Sequence, residues 1–270
     1  MITATLVTKH HKLRAIAPPL TAIGWQLDAV EVDTDVLGTF AGDVPRRHPP
    51  LETARRKALL GAPLSDAAWL VASEGSISHW FGGVHRDTEL VVAVDRASGT
   101  TVAGRASLLG ITCVRFTVDQ HATHAQIAAE CADADLPRHR LIATTADHAV
   151  GPRGDLATVD AVLEATDDLR RHGSAVVVQT DLRAHVCPSR HDAITAAASD
   201  LATRLTTPCP SCHQPGFGEI ERLPGLACAR CSRPTPEIKE RRLSCPWCGT
   251  EQRELEPARA DPARCGVCNP

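Results

Sequence analysis

Eight of the chain's eleven cysteines fall in its last quarter as four Cys-x-x-Cys knuckles, and no other feature limits so sharply what the chain can fold into. The knuckles are Cys209/Cys212, Cys228/Cys231, Cys245/Cys248 and Cys265/Cys268, with 15 residues between the first two and 16 between the last two. Two intervening residues let both sulfurs of a knuckle face one zinc ion at about 2.3 Å, and two knuckles complete a tetrahedron. Four thiolates leave no open position for water, so such sites are structural rather than catalytic. The spacing rule favours pairing in chain order, first knuckle with second and third with fourth. The interleaved arrangement, first with third and second with fourth, is the alternative.

Metal is needed because the tail carries only a handful of large apolar residues, and so small a segment buries too little surface to fold by burial alone. Structural zinc contributes on the order of 10 kcal/mol, more than a typical domain's margin. Disulfides are the competing use of these cysteines. Thiolates free for zinc fit a reducing compartment, and no secretory leader or long apolar run is expected, which together point to the cytoplasm. Cys113, Cys131 and Cys187 show no pairing pattern.

At 270 residues the chain suits one large unit and one small one. Pro208 follows the last helical pattern, placing the expected boundary at 206–207: an α/β domain over 1–206 and two four-cysteine zinc ribbons over 207–270. Within the first domain, β-rich runs at 3–8, 27–32, 69–73, 90–95, 101–108, 140–145 and 175–180 alternate with helical patterns at 51–60, 122–132, 156–172 and 192–205. That rhythm predicts an α/β fold, a three-layer arrangement on one sheet. The Gly-containing turn between 90–95 and 101–108 makes the sheet mixed, and the apolar run at 175–180 reads as its central strand, covered on both faces. A 43% hydrophobic, 23% charged composition excludes disorder. The formal charge of -3, with nine basic against eight acidic residues from Thr207 onward, shows no electrostatic footprint for nucleic acid.

Ligands gather at the carboxyl ends of strands in open α/β sheets, and three segments stand at such ends. Thr8-Lys9-His10-His11-Lys12-Leu13-Arg14 is a basic turn able to meet phosphate, or simply a solvated charged loop. Glu74 ends an apolar strand; with Glu52 at a helix start, and Asp87 beyond, it can hold Mg²⁺ through one or two oxygens. Glu52 in a first helical turn is equally explained by the helix dipole. Asp181, Arg183, His185 and Arg190 follow the run at 175–180 and make either an ion network or an anion site.

Two resemblances follow from these motifs. Thr8-Lys9-His10, Asp33-Thr34-Asp35-Val36-Leu37-Gly38-Thr39-Phe40, Glu52-Thr53-Ala54-Arg55-Arg56-Lys57-Ala58, Ala72-Ser73-Glu74-Gly75-Ser76, Thr180-Asp181-Leu182-Arg183-Ala184-His185 and the closing Cys265-Gly-Val-Cys-Asn-Pro resemble, over essentially the whole chain, an uncharacterised bacterial family that joins an α/β domain to a zinc-ribbon tail. Over the first hundred residues or so, Thr8 and Lys12 in the turn, Glu52, Ala54, Lys57 and Ala58 in the helix, and Glu74 at the strand end are similar to the inosine/xanthosine triphosphate pyrophosphatase superfamily. Lys9 stands where that superfamily has Asn. This second resemblance implies a Mg²⁺-dependent hydrolase of a nucleotide or another phosphorylated small molecule. In that reading Glu52, Glu74 and Lys12 carry the chemistry, and Thr8, Lys9, Lys57 and Arg183 hold the ligand. The rival expectation is a non-enzymatic binding protein whose ribbon docks a protein or nucleic acid.

Overall fold

The computed structural model describes residues 2–9, 11–38, 44–79, 84–111, 113–173 and 175–270. His10 and the Thr39-Phe40 end of one family motif lie outside the described residues. The chain divides into two compact units, one of Met1–Gly99 with Ala103–Leu201 and one of Thr100–Val102 with Ala202–Pro270. None of its described helices is long and apolar enough to cross a membrane.

The first unit opens with β1 (Ile2–Thr8), α1 (Leu13–Ala22), β2 (Trp25–Glu31), α2 (Pro50–Leu60), β3 (Trp69–His79), β4 (His85–Asp95) and β5 (Thr101–Leu109). These strands form a mixed sheet in the order β2-β1-β3-β4-β5, with β1 parallel to β2 and β3, and β3 antiparallel to β4. Five consecutive buried residues end β1, as an interior parallel strand covered on both faces requires. Helix α2 starts on Pro50, whose missing N–H costs nothing in a first turn. One turn apart, Ala54 and Ala58 pack on Leu70, Ala72, Val92 and Val94, and their small side chains let the helix lie close to the sheet.

Residues 13–22 depart from expectation: the sequence reading ends a basic turn at Arg14 and places no helix before residue 51, yet α1 forms here with Pro18 and Pro19 inside it. Proline removes a helical donor and clashes with the turn before it. Burial of Ala15, Ile16 and Leu20 on one side of this helix outweighs that cost.

The unit continues with β6 (Arg115–Val118), α3 (His124–Glu130), β7 (Leu141–Thr145), β8 (Arg153–Leu156), α4 (Val159–Arg170), β9 (Val176–Thr180) and α5 (Pro188–Leu205). Here the single expected sheet is corrected. The second half forms its own antiparallel sheet in the order β6-β9-β7-β8. The short strands β6 and β8, four residues each, give too little alternation to be seen in sequence and supply the missing partners. Strand β9 is interior as expected, but to this smaller sheet, and its burial alternates instead of being continuous. Leu141, Ala143, Val176 and Val178 meet Val162 and Leu169 of α4 in a separate core.

The second unit is built on a three-stranded antiparallel meander, β10 (Gly218–Pro224), β11 (Ile238–Ser244) and β12 (Glu251–Leu255). Its apolar content is slight. Phe217 and Leu243 pack with Cys209, Cys245, Cys212 and Trp247, and the indole N–H of Trp247 donates to the Pro215 carbonyl at 2.6 Å.

Candidate functional site

Two sites emerge. The first is a cleft of ≈ 250 Å³ in the N-terminal unit, at the carboxyl end of β1, beside the middle of β3 and the residues that follow β9; the expectation that Glu74 ends its strand is corrected, because β3 runs on to His79. Thr8, Lys9, Lys12, Lys57, Glu74 and Arg183, all singled out from sequence, line it. So do Arg46 and Arg190, making six basic side chains on the wall against the acidic Asp35, Glu74 and Asp181. The chain has only four lysines, at 9, 12, 57 and 239, and three of them line this cleft.

Neighbours along a strand point to opposite faces, so Ser73 and Glu74 in the middle of β3 address different helices. Lys57 of α2 reaches Glu74 Oε2 at 2.5 Å, and Arg46 reaches Glu74 Oε1 at 3.3 Å. The carboxylate is almost wholly buried, and two cations offset its desolvation. On the other face Lys12 donates to Ser73 Oγ at 2.8 Å. The Lys12 ammonium is pushed down to about 8 in all: burial lowers it most, the Glu89 charge opposes that, Arg190 and Lys57 add to the lowering, and Glu74 opposes it. Lys9 bridges Asp33 and Asp35, each at 2.8 Å, and its hydrogen bond with Asp33 raises the lysine and lowers that aspartate.

Behind the wall lies a buried ion network. Arg190 of α5 donates from Nε to Glu89 Oε1 at 2.9 Å, from Nη2 to the same oxygen, and from Nη1 to the Leu182 carbonyl. Gly75 faces Glu89 across the β3–β4 ladder, and a Cβ there would lie 2.3 Å from Glu89 Oε1 and 2.4 Å from Arg190 Nη2. The absent side chain is what admits this ion pair. Asp87, two residues before Glu89 on the same face, is 1% exposed with neither carboxyl oxygen hydrogen-bonded. Burial, then the charge of Glu89, raises Asp87 to about 7. Arg183 grips Asp181 from Nε at 2.8 Å and from Nη2, filling the space Gly154 leaves open.

Glu52 does not join this site. It pairs with Arg56 at 2.7 Å and Arg55 at 3.8 Å on the exposed side of α2, and its hydrogen bond with Arg56 lowers its pKa. Its place is that of an ordinary acid in a first helical turn. Sequence reasoning gave no ligand role to Arg46 or Glu89. The signal for Glu89 was present: two acids, Asp87 and Glu89, enter a strand that is otherwise apolar from Leu90 to Val94.

A serine, a histidine and an aspartate also align in the unit. His139 shares one hydrogen bond between Nε2 and Ser189 Oγ and another, at 3.0 Å, between Nδ1 and Asp135 Oδ2. The order of contacts is that of a nucleophilic triad, but the aspartate is 48% exposed where a triad's acid is buried. The bridge ties the start of α5 to the turn before β7.

The second site is the pair of cysteine tetrads. Cys209 and Cys212 group with Cys245 and Cys248, and Cys228 and Cys231 with Cys265 and Cys268; within each group the sulfurs all lie within 4.8 Å. Nearest sulfur pairs stand at 3.7 and 3.6 Å in the first tetrad and 3.9 and 3.6 Å in the second. A tetrahedron with Zn–S bonds of about 2.3 Å has edges of about 3.8 Å, so the donor set and its size suit zinc; a disulfide at about 2.05 Å would be far shorter. Among the described residues these are the groups of three or more His, Cys, Asp or Glu ligands close enough to hold an ion.

The pairing corrects the expectation of chain order. Each strand of the meander carries the backbone about 20 Å, at about 3.3 Å per residue, from one end of the sheet to the other. Knuckles one and three therefore meet at one end, and knuckles two and four at the other. The spacing rule could not register this because it ignores the strands between.

The sequence model of a family described as a domain of unknown function, DUF6671, matches residues 57–270. The chain belongs to that family. No curated protein and no solved structure matches the chain. The DUF6671 match takes in Lys57, Glu74, Arg183, Arg190 and all eight tetrad cysteines, while Thr8, Lys9, Lys12 and Arg46 precede it.

Proposed function

We propose that the N-terminal unit of this DUF6671 protein binds a phosphorylated small molecule in its cleft, and that two zinc ions hold the C-terminal unit in shape. One observation carries the first half. Six cationic side chains from separate parts of the chain converge on a single hollow, with three acids on the wall. Polar contacts of this kind suit a phosphate ester, whose oxygens accept several charge-assisted hydrogen bonds. The nucleotide class is the narrower form of the proposal, through the turn and helix residues Thr8, Lys12, Lys57 and Ala58.

Mg²⁺-dependent hydrolysis is the more demanding reading. Both Glu74 oxygens are engaged by cations, and Glu52 stands on the surface, so a metal there would need Lys57 and Arg46 to withdraw. Binding without hydrolysis is the form the geometry supports best. Charges on the C-terminal unit are largely paired, as in Arg242 with Glu221 and Glu251, which disfavours nucleic acid as its partner.

The test is thermal stability of the zinc-loaded chain with inorganic phosphate, pyrophosphate and nucleoside mono- and triphosphates, each with and without Mg²⁺. A ligand at a hundred times its Kd adds about 2.7 kcal/mol. Stabilisation by phosphorylated compounds that Arg183→Met abolishes is the expected result. Indifference to all of them would remove the binding proposal and leave the protein-docking alternative.

A further inference from the structure

We propose that Lys12 is a covalent, imine-forming lysine whose ligand is a small phosphorylated aldehyde or ketone. This rests on the reading of the cleft as a phosphate site and adds a reaction to it.

Lysine is rare here. Of 29 basic residues 25 are arginine, yet three of the four lysines line one cleft. Arginine serves an anion at least as well and never gives up its proton, whereas an ammonium can become a nucleophile. Among these three, Lys12 stands apart. Lys9 is bound to Asp33 and Asp35, and Lys57 to Glu74; Arg46, Arg183 and Arg190 likewise each hold a carboxylate. Among the described residues Lys12 has no carboxylate within ion-pair distance, and its one hydrogen bond runs to the neutral hydroxyl of Ser73. Ser73 is itself buried, which fixes the amine's direction.

Desolvation and neighbouring cations are what turn a lysine into a nucleophile. Both act on Lys12, whose surroundings are Glu89 on β4, Arg190 on α5, Lys57 on α2 and Glu74 on β3. With its pKa at about 8, about a tenth of Lys12 is neutral amine at pH 7, against about three in ten thousand for an ordinary lysine. The step balances without any redox partner. The Nζ lone pair forms the new C–N bond at the ligand's carbonyl carbon, and the carbonyl oxygen departs as water with the two amine protons. Around it, Arg46, Lys57 and Arg183 can hold the phosphate of the same ligand. A volume of ≈ 250 Å³ suits a carbon chain of a few atoms.

The experiment incubates the full-length, zinc-loaded chain with glyceraldehyde 3-phosphate, adds borohydride to reduce any imine to a stable secondary amine, and maps the adduct by peptide mass spectrometry. Because the chain has four lysines, each is read separately. Lys12 is expected to be modified on the order of tenfold or more over Lys239, following its neutral fraction. Unphosphorylated glyceraldehyde should give much less Lys12 adduct at equal concentration, inorganic phosphate should compete with the phosphorylated probe, and Lys12→Arg should lose the adduct. Stabilisation by phosphate with no adduct on Lys12 overturns the imine and leaves the phosphate site standing. An adduct equal on all four lysines overturns the imine as well. Absence of both the phosphate shift and the adduct overturns the phosphate reading together with this one.

Discussion

The two units of this chain solve the problem of cohesion in opposite ways. In the N-terminal unit Leu6, Ile16, Leu70, Leu141, Leu169 and Ile194 are wholly or nearly wholly buried, and a conventional apolar core permits a polar cleft at its surface. The C-terminal unit has a few apolar side chains beside its cysteines, and every residue of β12 is exposed. Where burial holds a fold, charged groups are free to gather for a ligand; where the core is this slight, cysteine tetrads that could hold metal stand in its place. The buried network of Asp87, Glu89 and Arg190 shows what the first strategy tolerates, since such ions survive only inside a fold with stability to spare.

The largest expected effect tests the metal side of this contrast. Chelation should cost the C-terminal unit a stabilisation on the order of 10 kcal/mol, unfolding it while the helical signal of the N-terminal unit persists. Pairing is read by counting metal in two double variants. Cys212→Ser with Cys245→Ser removes ligands of one tetrad and should leave about one zinc per chain; Cys212→Ser with Cys228→Ser injures both and should leave almost none. Pairing in chain order predicts the reverse counts.

Next in size is the ion pair under the cleft. Arg190→Met leaves Glu89 buried without its cation and should destabilise the N-terminal unit by about 3–5 kcal/mol in chemical denaturation. Zinc content should not change.

Asp87 sets a pH-dependent effect, smaller per pH unit. Its carboxyl titrates at about 7 when folded against 3.8 unfolded, so between those values the folded chain holds the extra proton and stability falls as pH rises, by up to about 1.4 kcal/mol per pH unit. Below pH 4 and above pH 7 this contribution is flat. Glu89, Arg190 and Lys12 are the charged groups around it. Asp87→Asn should flatten the profile across that window; an unchanged slope would show that Asp87 is ionised in the fold.

The smallest effect is expected at Glu52. Glu52→Gln removes only exposed contacts with Arg55 and Arg56, so stability should hardly move in chemical denaturation and phosphate binding should be unaffected. A loss of binding would bring the hydrolase reading back through this residue.

Much of the cleft was legible because strand ends are visible in sequence. Apolar runs that finish at Thr8 and Thr180 mark where strands end and present side chains to a ligand; Glu74 lines the cleft as well, though its strand runs on to His79. The route through Glu52 misled because a helix-start acid has the same sequence signature whether it serves a site or the helix dipole. Arg46 was invisible, having no periodic element to place it. The second sheet was missed because four-residue strands fall below the length at which alternation is informative, and α1 because burial overrode its two prolines.

What the sequence determined by itself was ligand chemistry and strand identity. Two residues between cysteines fix how a knuckle points its sulfurs, and local apolar patterns fix which segments bury their faces. Only the tertiary structure decided which knuckles share an ion, which strands share a sheet and which lysine is left without a carboxylate. Those are relations between segments far apart in the chain. They follow from where β10 and β11 deliver their ends and from the packing that brings Lys12 beside Ser73, and no local spacing encodes either.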